Sequence, residues 1–298
     1  MNKFITQLSH VSPNHFGFYS GGEYVVCVAD YPRTVPFGGS GAYIDGYYEI
    51  SNSQYHKTQK FLAFCKENGV GVEIERDKPY KDFLFDNGFF GRGKNSLLYD
   101  AEFGSKIYFT VLKVTKLPSV RENRLEFVKF LQILKSKSSR FKTPDESCGA
   151  CTLCLSACPQ KAIPNCLENC LRTHMQEGKI EKSFSQTLEN RVLGCEICSE
   201  ICPKNKKVAL QNAESTELSQ FLSLVEKKDT GLCEKYGKNI ISKNKLTPYI
   251  LNAMGNSGEI RYKEILEKYE ESDNEKFKIA SQIALETMQE KITAKEKR

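Results

Sequence analysis

The sequence predicts an α+β protein in three parts: an α/β domain over residues 1–140, a cysteine-rich domain over 141–210 and a helical unit over 211–298. Three observations predict it. Strand-like apolar runs alternate with helical stretches as far as Pro118. Cysteines then crowd into two short blocks, and after Pro203 the apolar positions recur at helical spacing.

The first part is read from its runs and its punctuation. Tyr24-Val25-Val26-Cys27-Val28-Ala29 is a compact apolar run of the kind found in buried strands. Pro36-Phe37-Gly38-Gly39-Ser40-Gly41 matches no phosphate-binding fingerprint and is read as a turn. Residues 53–68 read as a helix with Phe61, Leu62 and Cys65 inward. A second glycine-rich loop spans 88–96, and residues 105–112 are β-branched and aromatic, hence a strand. Past the boundary at Pro118, Leu125, Val128, Leu131 and Leu134 give residues 121–136 a helical stripe. Residues 135–142 read as a basic, serine-rich, solvated linker rather than a nucleic-acid contact.

The last part reads as helices over 214–226, 246–254, 259–271 and 275–292, with Gly255-Asn256 as the C-cap of the second. Short helices joined by tight turns suggest stacked hairpins of the HEAT type. So few repeats cannot bury their own faces, so this unit is expected to pack against the cysteine-rich domain.

Composition sets the class. The chain has 298 residues, is 40% hydrophobic and 27% charged, and carries a net charge of +6 without tryptophan. That is ordinary for a globular protein. No apolar run approaches the ~20 residues of a membrane-spanning helix, and no secretory signal opens the chain. A cytoplasmic, reducing location is therefore expected, with no membrane partner. The positive charge is compatible with a polyanion but also merely solubilises.

The cysteines carry the chemistry. The first block is Cys148-x2-Cys151-x2-Cys154-x3-Cys158-Pro159; the second is Cys195-x2-Cys198-x3-Cys202-Pro203. The first is the complete bacterial-ferredoxin run, whose fourth cysteine ligates the other cluster in two-cluster proteins. Spacings of two set three thiolates on one tight loop; the spacing of three leads out of it, and the proline keeps the backbone from closing back. Exchange of fourth ligands gives one 4Fe-4S cluster Cys148, Cys151, Cys154 and Cys202. The other takes Cys158, Cys195, Cys198 and one cysteine from between the blocks, Cys166 or Cys170. Zinc prefers two separated pairs, and disulfides do not suit a reducing compartment. Cys27, Cys65 and Cys233 read as small buried hydrophobes. His174, four residues after Cys170, reads as a bystander rather than a ligand.

These motifs resemble the epoxyqueuosine reductases, cobalamin-dependent two-cluster relatives of reductive dehalogenases. The likeness runs through Cys148-Gly-Ala-Cys151-Thr-Leu-Cys154-Leu-Ser-Ala-Cys158-Pro159 and Asn190-Arg191-Val-Leu-Gly194-Cys195-Glu-Ile-Cys198-Ser-Glu-Ile-Cys202-Pro203. Weaker matches are Gln54-Tyr55-His56-Lys57, Gly93-Lys94-Asn95-Ser96-Leu97-Leu98 with Phe103-Gly104-Ser105, and Asn252-Ala253-Met254-Gly255-Asn256-Ser257-Gly258. The family's tryptophan before Gly-Lys-Asn is replaced here by Gly91 or Arg92.

The resemblance implies a corrinoid-binding first domain, a ferredoxin-like second domain with two 4Fe-4S clusters, and a terminal HEAT-like unit. It favours Cys170 as the eighth ligand. It implies that Tyr55, His56, Lys94, Asn95, Ser96 and Ser105 lie around cobalamin. Asp77 or Glu75, before Pro79, would be the proton donor, with the Tyr55 hydroxyl near substrate. The implied reaction reduces the epoxide of a modified tRNA wobble base to queuosine, in a monomer fed by an external low-potential electron donor. A corrinoid reductase of a small organic molecule and a two-cluster electron carrier without corrinoid are the rival readings.

Overall fold

A computed structural model describes residues 2–35, 41–141, 148–212 and 215–297. The chain packs as two compact units that interleave in sequence. The first takes residues 1–31, 50–151 and 202–208; the second takes 32–49, 152–201 and 209–298. Strands from distant stretches of the chain pair within each unit.

The first unit is built on an antiparallel sheet of four strands. Their order is Asn14–Tyr19, Glu23–Asp30, Ile107–Lys116 and Gly71–Ile74. The apolar run expected at 24–29 is the second of these. It is apolar without alternation because both faces of the sheet are covered. Val25 and Cys27 point into a core with Phe4, Phe61, Cys65, Phe127 and Phe130. Tyr24, Val26 and Val28 point into the opposite core with Phe16, Phe18, Leu84 and Phe90.

The expected helix at 53–68 is longer, Gly46–Glu67, and it buries Phe61 and Cys65 as anticipated. The helix Arg121–Lys137 buries Phe127, Phe130, Leu131 and Leu134, whereas Leu125 is 54% exposed. The inward stripe is thus centred on two phenylalanines rather than on Leu125 and Val128. Aromatic rings bury more area, and Phe127 and Phe130 meet Phe4 at centroid separations of 5.0 and 5.7 Å. The expected linker from 135 is ordered instead: the helix reaches Lys137, and a 3-10 turn, Ser138–Phe141, stacks Phe141 on Phe16. The turn expected at 36–41 lies outside the described residues except for Gly41, which opens a strand.

The second unit joins a three-stranded sheet, Thr216–Glu217, Gly41–Ile44 and Arg191–Leu193 in that order, to a block of helices. A separate parallel pair links Leu210–Asn212 to Arg33–Val35. The helices are Leu218–Glu226, Thr230–Tyr236, Lys243–Ser257, Lys263–Glu270 and Glu275–Glu296. Lys243–Ser257 is the central one, buried continuously from Leu246 to Asn256. It does not end at Gly255-Asn256. Its left-handed cap is Gly258, at φ 64°. Gly255 is instead a contact point: a Cβ there would lie 2.4 Å from the Ala284 carbonyl oxygen of the last helix. Asn256 donates to the Ser185 and Glu189 carbonyls. No helix of the described residues is long and apolar enough to cross a membrane.

Candidate metal centre

Both cysteine blocks fold by the same local logic. In the first, Gly149 takes φ +47° and lets the Cys151 N–H reach the Cys148 carbonyl. A one-turn helix, Leu153–Ala157, carries Cys154. In the second, Gly194 takes φ +84°, Cys195 follows, and a one-turn helix, Ile197–Glu200, carries Cys198. Cys158 and Cys202 both leave these helices in extended conformation, at ψ 111° and 124°. The following prolines impose this, because proline disfavours the helical region for the residue before it.

Within the second unit, Cys170, Cys154, Cys158 and Cys195 all act electrostatically on Cys198. Burial is the larger cause, and together they push the Cys198 thiol up to about 12. Burial also raises Cys195 to about 11, with Cys170 adding to the shift. The thiols of Cys154, Cys158, Cys170, Cys195 and Cys198 thus act within one neighbourhood. Within the first unit, burial raises the Cys202 thiol, and the charges of Cys148 and Cys151 add to it. Cys154 belongs to the second unit.

The chain shows no disulfide: all twelve cysteines are free. Among the described residues no three His, Cys, Asp or Glu side chains form a group that could hold a single metal ion. A cubane takes one thiolate at each of four iron corners, so its ligands stand apart around a cluster-sized gap. Thiols this reluctant to ionise alone are suited to a metal that displaces their protons on binding. The donor set therefore fits iron–sulfur clusters. Cys27 and Cys65 are core residues, their thiols pushed up to about 12 by burial, as the sequence implied.

Several residues that the sequence did not single out hold the loops. Asp45 is fully buried, and its side chain lies where a Cβ on Gly194 would sit, 2.3 Å from the Asp45 Cβ. Its carboxylate accepts from the Tyr47 N–H and faces the Arg172 guanidinium at 3.7 Å. Arg172 also stacks over Tyr47 at 4.2 Å. Arg172 is two residues past Cys170 and Gly194 immediately precedes Cys195, so Asp45 fixes those two cysteines relative to each other. Glu196, between Cys195 and Cys198, is buried and accepts from the hydroxyls of Tyr43 and Thr34. Beside it lies a cavity of about 400 Å³ lined by Arg33, Tyr43, Arg191, Ile197 and Leu210. His174 stacks on Phe184.

The residues expected around a corrinoid make hydrogen bonds within the protein or lie at its surface. The Lys94 ammonium donates to the carbonyls of Gly149, at 2.8 Å, and Cys151, at 2.9 Å. Asn95 is buried and its side-chain oxygen accepts from the Leu97 N–H; Ser96 stands at φ 61° in the same turn. The Ser105 N–H donates to Asn205 Oδ1 at 2.7 Å. Tyr55 and His56 are exposed and pack edge to face on each other. Lys94, Asn95 and Ser105 are thus engaged within the protein. Of the two acids, Asp77 is exposed and Glu75 is buried; the Glu75 carboxylate accepts from the Asp77 N–H at 2.9 Å.

Comparison with known proteins agrees with the cysteine chemistry. Residues 147–205 match the family described as a 4Fe-4S double cluster binding domain. The epoxyqueuosine reductase of Lactococcus garvieae is 23% identical over 67% of this chain and 55% of its own length. That of Cyclobacterium marinum is 30% identical over 39% of this chain and 33% of its own length. The chain thus spans about half, or less, of the curated relatives it matches. In solved structures, the epoxyqueuosine reductase of Streptococcus thermophilus superposes with a TM-score of 0.64 at 19% identity, covering 89% of this chain and 73% of that one. An epoxyqueuosine reductase bound to an epoxyqueuosine-modified tRNA-Tyr stem loop gives 0.59 at 18% identity, over 90% and 82%. The fold is shared, and the chain is similar to epoxyqueuosine reductases in sequence.

Proposed function

We propose that the chain is an iron–sulfur oxidoreductase of the epoxyqueuosine reductase type, which reduces the epoxide of a modified tRNA wobble base to queuosine. The gathering of Cys154, Cys158, Cys170 and Cys195 around Cys198 supports this reading, together with the shared fold. Cys148, Cys151, Cys154 and Cys202 would hold the first 4Fe-4S cluster, and Cys158, Cys170, Cys195 and Cys198 the second. The clusters would supply single electrons from an external low-potential donor. Cobalamin is the further cofactor of this reading. Asp77 or Glu75 would give a proton to the opened oxygen; Asp77→Asn and Glu75→Gln separate the two. The helical block from residue 211 would be a HEAT-like unit, and the chain would act as a monomer.

The test is expression in a bacterium lacking its own epoxyqueuosine reductase, followed by analysis of tRNA nucleosides. Queuosine should replace epoxyqueuosine. Persistence of epoxyqueuosine with protein that carries both clusters and cobalamin defeats the tRNA assignment. Binding to tRNA should also weaken steeply with salt as phosphate contacts release counterions. The rival reading is a two-cluster electron carrier without corrinoid. Absence of cobalamin binding by the reconstituted chain would select it.

A further inference from the structure

The cavity beside Glu196 has no part in the reaction so far. It measures about 400 Å³, and all its lining residues belong to the second unit. Three of them are chain neighbours of cluster ligands. Ala157 immediately precedes Cys158, Glu196 follows Cys195, and Ile197 precedes Cys198. Two more lining residues, Ile201 and Leu210, are 45% and 56% exposed, so the cavity meets solvent on an apolar side.

Charge narrows what can sit there. The buried Glu196 carboxylate accepts from the Tyr43 and Thr34 hydroxyls. Arg33 faces Glu200 at 3.5 Å, and Arg191 faces Glu189 at 3.0 Å. A metal ion would find both lining carboxylates engaged, and an anion would have to compete with a carboxylate for each guanidinium. The cavity therefore suits an uncharged group. Its volume falls within the ~300–1,000 Å³ usual for small-molecule sites.

Shape narrows it further. Arg191 lies over the Tyr43 ring, 5.8 Å from its centre. Guanidinium planes stack on flat rings and donate to acceptor atoms at ring edges. Ala157, Ile197, Ile201 and Leu210 supply apolar wall. A flavin ring has the matching halves, a methylated benzenoid edge and an edge of carbonyl oxygens and ring nitrogens.

We propose that this cavity seats the ring of a free flavin, and that the cluster held by Cys158, Cys170, Cys195 and Cys198 takes its electrons there. The reduced ring, a hydroquinone, gives up two electrons one at a time and releases two protons to solvent. Each electron reduces the cluster once, and the cluster passes the first electron on before it takes the second. One ring is oxidised for every two cluster reductions. The assignment rests on the two-cluster reading and names the chemical class of its electron donor.

The experiment uses the full reconstituted chain under anaerobic conditions, with riboflavin and flavin mononucleotide as probes. Oxidised flavin should bind saturably, read by quenching of its fluorescence, and the phosphate of the mononucleotide should add nothing. Leu210→Glu puts a charge into the apolar wall at an exposed position and should weaken binding by about tenfold. Arg33→Lys keeps the charge facing Glu200 but loses the flat guanidinium, and should weaken binding several-fold. Ile260→Glu, at an exposed position outside the cavity, should bind as the parent does. Photoreduced riboflavin should bleach the cluster absorbance at a rate that saturates with flavin, and Leu210→Glu should slow it at low flavin. Dithionite, which needs no ring site, should reduce parent and variants alike.

No flavin binding by a chain loaded with both clusters overturns the proposal. So does binding that neither Leu210→Glu nor Arg33→Lys weakens, and so does binding without cluster reduction. Reduction by a flavin-bearing protein but not by free flavin overturns it in favour of a protein donor. If Leu210→Glu fails to load its clusters, Arg33→Lys decides. A parent chain that binds iron for fewer than two clusters overturns the underlying reading, an outcome distinct from a loaded chain that ignores flavin.

Discussion

Asn205 and Ser105, 100 residues apart, bind each other reciprocally: the Ser105 N–H donates to Asn205 Oδ1 at 2.7 Å, and the Asn205 amide donates to Ser105 Oγ at 2.9 Å. Asn205 is fully buried, and the neighbouring Gly104, at φ +59°, has no room for a Cβ, which would lie 2.1 Å from Asn205 Oδ1. The segment after Cys202-Pro203 is therefore clamped within the first unit. Asn205→Ala would remove the acceptor of the buried Ser105 N–H, a loss of ~1–3 kcal/mol. Thermal unfolding should show the lower stability, and iron analysis should show loss from one cluster. An unchanged iron content would separate this clamp from the placing of Cys202.

Cys170→Ala should lose the iron of one cluster, about four atoms. Cys166→Ala should keep it. Cys170 acts on both Cys195 and Cys198, which is the basis for the distinction. Iron and sulfide analysis after anaerobic reconstitution decides it, and the reverse pattern would pass the role to Cys166.

Gly255→Ala should destabilise the helical block by ~1–3 kcal/mol, the usual range for overpacking. The added methyl would meet the Ala284 backbone, which cannot swing aside as a flexible side chain could. Chemical denaturation measures this, and a neutral result would mean that the two helices separate cheaply.

Glu217 links stability to pH. Burial works to raise its carboxyl, but hydrogen bonds from the Ser219 hydroxyl, the Tyr262 hydroxyl and the Gln220 N–H outweigh burial and hold it at about 2. A carboxyl depressed in the folded state contributes above its ordinary value of 4.5 and loses that contribution as pH falls toward about 2. Glu217→Gln should therefore be less stable than the parent at neutral pH. The difference should shrink across that acid window. A difference constant from neutral pH to about 2 would argue against ionisation as its source.

Thr58→Val should leave stability unchanged or raise it by ~0.5–1 kcal/mol. Among the described residues the buried Thr58 hydroxyl has no hydrogen-bond partner, so its desolvation has no return, and valine has the same shape. A marked loss of stability in thermal unfolding would show that the hydroxyl is satisfied after all.

What the sequence could disclose follows from how local each feature is. The strand at 24–29 was legible because its apolar run is unbroken where both faces are covered. The cysteine blocks were legible because their spacing alone sets their loops. The helix at 121–137 showed its period but not its inward face, since Phe127 and Phe130 are selected by Phe4, far away in the chain. Gly255-Asn256 resembled a helix end, because glycine serves equally at a cap and at a close helix crossing. Lys94, Asn205 and Asp45 gave no sign of their roles. Their partners, Cys151, Ser105 and Arg172, lie elsewhere in sequence, and only the folded register brings them together.

The strand Gly41–Ile44 pairs in parallel with Arg191–Leu193, Tyr43 opposite Arg191 and Ile44 opposite Leu193. On the ribosome the first strand emerges long before the second. It must wait, unpaired, through the synthesis of the whole intervening chain, a closure over a long loop of the kind that slows folding. Cys195 follows its strand by a single glycine, so its final position is set only when that late pairing closes. Loading of the second cluster is thereby tied to synthesis beyond Arg191, and a nascent chain arrested before that residue lacks the thiols of Cys195, Cys198 and Cys202 altogether.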